Sequence, residues 1–187
     1  YTHEILNGDI HTANQLAAGL PSRDQAKTFI YAFLYGAGDA KIGTVVGGNS
    51  ADGKRLKQKF LSNTPALASL RERVSTAAKR GFLRGLDGRC LWIRSDHAAL
   101  NTLLQSAGAV IMKQALIILD DSAKASGIRY KFVGNVHDEF QTEVEAARAD
   151  EFGQLAVQAI RKAGDHFNLR CPLDGEYAVG DNWSQTH

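Results

Sequence analysis

The chain has 187 residues, 44% hydrophobic and 22% charged, with a formal net charge of +2. A chain of this length can bury roughly 70% of its unfolded surface, enough for one domain or two closely packed subdomains. No uninterrupted apolar run reaches the roughly 18 residues of a membrane span, and +2 falls short of the basic footprint of a free-standing nucleic-acid-binding module. Cys90 and Cys171 have no metal-type spacing, so two reduced thiols in a soluble, cytoplasmic protein with no membrane partner are expected. Tyr1 stands first instead of Met, which reads as a cut end.

A helix pair is predicted at about 8–18 and 23–35. In the second, Arg23, Lys27 and Tyr31 recur at i, i+4 and i+8 and share a face. Ser22 and Gln25 have the form of a capping box, and Gly36 to Gly38 ends the pattern. Two cations followed by a phenol suit a ligand with a polyanionic end and a ring or sugar end, as in a nucleoside triphosphate. The same pattern also fits a solvated amphipathic helix. Residues 36–49 read as a Gly-rich connector with one helical turn. Ser50 can cap a helix carrying Lys54, Arg55, Lys57 and Lys59, a solvated face or one that touches a nucleic-acid backbone, and Thr64-Pro65 starts another helix.

Turn signals around a β-prone LWI predict a hairpin within 81–95. A long helix is predicted from His97 to Ser126, with His97, Asn101 and Gln105 as a polar line that could read base edges or simply face solvent. Residues 130–145 alternate on both sides of His137-Asp138-Glu139, predicting two strands joined at an acidic tip. Asp at such a tip serves turn geometry, yet two adjacent carboxylates could also hold a hard divalent cation. A helix at about 147–163 and a strand within 169–180 complete the pattern.

These segments together resemble the C-terminal portion of a family A (Pol I-like) DNA polymerase, most closely the replicative enzymes of short-tailed phages. The anchors are RDQAKTFIYAFLYGAG at 23–38, HAALNTLLQSAGA at 97–109 and VHDE at 136–139, three motifs in order that span most of the chain. The resemblance implies an α+β fold: a helical fingers subdomain at 1–96, and at 97–187 the C-terminal half of a palm whose antiparallel sheet surrounds the hairpin. It implies that Arg23, Lys27 and His11 hold the phosphates of a deoxynucleoside triphosphate and that Tyr31 lies by its sugar and base. Tyr35 takes the template-base stacking position, Asn101 and Gln105 contact primer and template, and His137 positions the hairpin or primer end. Asp138 is implied as a catalytic metal ligand with Glu139 beside it, serving two Mg²⁺ ions, and primer-template DNA and a processivity factor bound through a thumb are implied partners. Motif A, the thumb and the exonuclease have no counterpart in the sequence, so the chain is expected to be a partial polymerase, inactive alone. A split polymerase or a non-catalytic nucleic-acid-binding module are the alternatives. A palm sheet lacking its central strand would leave open edges and poor solubility.

Overall fold

The computed structural model describes residues 2–186; Tyr1, with the reading of it as a cut end, and His187 lie outside them. The elements in order are α1 (Thr2–Asn7), α2 (Ile10–Ala18), α3 (Arg23–Leu34), α4 (Asp39–Val45), α5 (Ser50–Asn63), α6 (Pro65–Ala78), β1 (Phe82–Arg84), β2 (Cys90–Trp92), α7 (Ala99–Ala125), β3 (Tyr130–Val136), β4 (Glu139–Val144) and α8 (Ala149–His166). Two compact units divide the chain at Leu104/Gln105.

In the first unit, α3 buries Ala26, Phe29, Ile30 and Phe33, the i, i+3, i+4, i+7 stripe of an amphipathic helix. Phe29 and Phe33 meet Phe60 of α5 edge-on, with ring centroids 5.1 and 5.5 Å apart. Each buried Phe contributes about 1.5–3 kcal/mol by area, and each such ring pair about 0.5–1.5 kcal/mol more. α3 ends where Gly36 turns left-handed at φ 78°, and a Cβ there would lie 2.3 Å from the His97 carbonyl oxygen. Glycine is required on both counts.

Several expectations need correction here. The connector at 36–49 holds a full helix, α4, with Ile42 completely buried. α4 and α5 approach so closely that a Cβ on Gly43 would meet the Asn49 carbonyl oxygen at 2.0 Å, and one on Gly53 the Asp39 carbonyl oxygen at 1.9 Å. Gly43, which read as loop, is a helix-packing residue. The cap of α5 is Asn49 rather than Ser50: Asn49 Oδ1 accepts from the amides of Ala51 and Asp52, and Asp52 accepts from the Asn49 amide in return. The basic cluster is not one solvated face, because Lys57 turns inward, donating to the Ala37 carbonyl at 2.6 Å and pairing with Asp39 at 2.9 Å. That ammonium holds the Asp39 carboxyl below its usual range. β1 and β2 form the expected hairpin, with Leu83 opposite Leu91.

In the second unit, Leu119, Ala123, Ile128, Phe152 and Ala159 form the core under β3 and β4. The sheet has two strands, β3 antiparallel to β4, and an extra residue, Val133, bulges from β3 and is 65% exposed. The expected strand in 169–180 does not form. Pro172 supplies no amide donor, and the segment packs on α8 through side chains instead. Leu173 seats on Gly164, Tyr177 on Gly153, and Arg161 pairs with Asp174 at 2.9 Å. The helical run Asp96–Ala125 is long and apolar enough to cross a membrane by length and composition, despite Lys113 and Gln114 within it. The expectation concerned an uninterrupted apolar run, and a window tolerating one or two charges passes where such a run fails.

Candidate nucleotide and metal sites

The first candidate site is the N-terminal half of α3. Ser22 caps the helix by accepting from the Gln25 amide at 3.2 Å, but Gln25 Oε1 is buried without a partner, so only half of the predicted capping box forms. Arg23, Lys27 and Tyr31 lie on the exposed side, opposite the Phe29 and Phe33 stripe, as the spacing predicts. Lys27 makes no ion pair among the described residues.

Arg23 is held from α2. Asp9 is the N-cap of α2, accepting from the His11 amide at 3.0 Å and the Thr12 hydroxyl at 2.9 Å. The same carboxylate takes Arg23 Nε at 2.5 Å and Nη2 at 3.2 Å, a two-point grip of the kind planar guanidinium favours. The Arg23 hydrogen bond, then that of Thr12, holds the Asp9 carboxyl far below the usual range, and Asp9 raises Arg23 in return. One residue thus ties the starts of two helices together and sets His11 beside Tyr31, ring centroids 6.3 Å apart. His11 Nδ1 is buried and unpartnered, an acceptor or donor awaiting a ligand or water. Sequence reasoning found His11, Arg23, Lys27 and Tyr31 but missed Asp9. Its signal was present: an Asp directly before a helical pattern is a favoured cap.

Tyr35, 58% exposed, sits just past the end of α3. The predicted line His97, Asn101, Gln105 is broken, since His97 belongs to a 3₁₀ turn, Asp96–Ala98, ahead of α7. Three residues per turn offset His97 from the α-helical face. Asn101 is half-buried and Gln105 exposed.

The second candidate site is the β3–β4 hairpin, in the other unit. Val136 pairs with Glu139, so the turn is only His137-Asp138, and Glu139 opens β4 instead of sharing the tip. His137 adopts φ 54°. Such a backbone is uncommon for a non-glycine residue, and conformations of this kind cluster at functional sites. Asp138 is exposed at the apex. Glu139 is half-buried and accepts from Gln141 Nε2, and Gln141 Oε1 in turn accepts from the Thr186 hydroxyl at 3.4 Å. The C-terminal segment therefore reaches the hairpin, a link between Gln141 and Thr186 that no local sequence signal announces. Among the described residues no group of three or more His, Cys, Asp or Glu side chains is placed to hold a metal ion.

The fold matches the POL domain of Pol1 from M. smegmatis, whose structure is a complex with DNA primer-template and dNTP, at TM-score 0.77 and 22% identity over 87% of this chain and 32% of that one. Residues 3–185 match the profile of DNA polymerase family A, and the chain belongs to that family. It is 48% identical to the DNA-directed DNA polymerase of Escherichia phage T7, and 43% identical to that of Escherichia phage Phieco32, over its whole length in both cases. It spans 30% and 32% of the length of those two relatives.

Proposed function

We propose that this chain carries the nucleotide-gripping and part of the metal-binding machinery of an enzyme that adds deoxynucleotides to a DNA primer. The observation that carries the reading is the α3 face, where Arg23, Lys27, Tyr31 and His11 converge in a family A chain. The fingers subdomain is 1–96 and the C-terminal half of the palm 97–187.

Arg23 and Lys27 bind the triphosphate, with His11 on the phosphate side. The Asp9 grip takes Arg23 Nε and Nη2 and leaves Nη1 with both donors for phosphate oxygens. Fixed cations there stabilise the charge that shifts toward the leaving group during transfer. Tyr31 lies by sugar and base, Tyr35 by the template base, and Asn101 and Gln105 along primer and template. The primer 3′-hydroxyl gives up its proton to solvent and its oxygen bonds to the α-phosphorus as the bond from that phosphorus to the α,β-bridging oxygen breaks, and pyrophosphate leaves.

Asp138 and Glu139 offer hard oxygen donors, which fit Mg²⁺, an ion held by one or two carboxylates together with substrate phosphates. When bound, two such ions supply activation of the nucleophile and neutralisation of the leaving group. His137 fixes the apex that presents Asp138, and Gln141 orients Glu139. The two carboxylates come from one hairpin, and the remaining ligands of a two-ion centre belong to a longer parent, so the isolated chain is inactive. The parent works in the cytoplasm of a phage host, on primer-template DNA, with any processivity factor bound through its thumb.

The test is primer extension by the longer parent. Asp138→Ala lowers nucleotide addition by about a thousandfold or more while primed-DNA binding persists; near-normal extension by that variant would sink the assignment.

A further inference from the structure

We infer that the outward face of the β1–β2 hairpin is a stacking site for unpaired DNA, built on Trp92 and Phe82 and flanked by arginines. Residues alternate across a strand. Leu83 and Leu91, paired in register, point into a core with Val74, Ala78 and Leu100. Phe82 opposite Trp92, and Arg84 opposite Cys90, must therefore face outward together.

The two rings meet edge-on with centroids 5.9 Å apart, and Trp92 is 74% exposed. Burial cannot account for so large an apolar ring held in the open on a short strand. The guanidinium carbons of Arg80 and Arg84 lie 5.4 and 5.9 Å from the Phe82 centroid, where ring and cation attract. Residues 79–94 also include Lys79, Arg89 and Arg94 against the single acid Asp87, a net +4 in sixteen residues where the whole chain carries +2. The rest of the chain is thus slightly acidic, and the positive excess lies in the segment that carries this exposed indole, with Arg89 paired to Asp87 at 2.6 Å.

An open aromatic face ringed by cations is how proteins hold single strands: a base stacks on the ring and the flanking phosphates meet the cations, without sequence preference. Duplex DNA offers its phosphates but hides its base faces, so the indole selects unpaired nucleotides. Within the polymerase reading, on which the identity of this strand rests, it is the template not yet copied. The stacking itself needs no catalysis.

The probe is a labelled twelve-residue oligothymidylate, with the blunt duplex of equal length as the comparison, read by fluorescence anisotropy on the 187-residue chain. Trp92→Ala should weaken oligothymidylate binding at least about fivefold, by the loss of one base stack, and Trp92→Phe should restore most of it. With Trp183→Phe, Trp92 is the remaining indole, and its emission should be quenched as oligothymidylate is added; this arm leaves the hairpin intact. Unchanged affinity in Trp92→Ala, absent quenching, or binding of the duplex as tight as the single strand would overturn the proposal. Tighter binding of a polyglutamate peptide than of the oligonucleotide would also overturn it and assign the face to an acidic protein. Asp138→Ala in the parent should leave oligothymidylate binding intact, so failure of the stacking site and failure of the catalytic reading give different results.

Discussion

The α3 face and the β3–β4 hairpin present functional groups by opposite means. α3 is fixed from behind: four buried residues and the Phe60 ring set its rotation, so the exposed side chains need little support of their own. The hairpin has two strands and a bulge, and it holds its apex through a left-handed His137 and the side-chain link from Glu139 through Gln141 to Thr186. A site on a packed helix inherits its precision from the core, whereas a site on a narrow ribbon must be held residue by residue.

The sharpest way to break that contrast is to empty the core behind α3. Phe29→Ala should cost about 3–5 kcal/mol, seen as early loss of amide protection in residues 2–104 during denaturant titration while the β3–β4 amides keep theirs. Simultaneous loss in both units would show that the hairpin also depends on that core. A smaller effect is expected from the exposed side. Lys27→Ala, read in the parent, should raise the KM for nucleotide by about tenfold to a hundredfold with little change in melting temperature, as loss of one charge-assisted phosphate contact would.

The smallest effect sharpens the other half of the comparison. Tyr130, at the base of the hairpin, donates its hydroxyl to the Asp120 carbonyl at 3.1 Å and to the Asp120 carboxylate. Burial first, then that hydrogen bond, pushes the phenol up to about 12 from an ordinary 10.0. A raised folded-state value means that the folded form retains its proton, so this stability is full below pH 10, falls between 10 and 12, and is gone above 12. The latest step of tyrosinate absorbance should therefore fall near pH 12 and vanish in Tyr130→Phe.

What could be read from the sequence followed the same division. The α3 face was legible because helix periodicity and a capping Ser are local signals, and family motifs placed the hairpin carboxylates. α4 was hidden because its one glycine, Gly43, serves contact with the start of α5, a partner that local pattern cannot reveal. The Asp9 grip on Arg23 spans fourteen residues and needs two helices already packed. The 169–180 segment has β-like composition, but a strand exists only where another offers its edge, and here the nearest surface is a helix. His97 was read as part of the long helix but belongs to the 3₁₀ turn ahead of it.

The crossing of α4 and α5 at Gly43 and Gly53 also constrains descent. Where backbone meets backbone, even one methyl group has no room, so these two positions cannot drift by small steps as the charged surface around them can. A lineage that lost either glycine would have to rebuild the angle between the helices, not merely repack it.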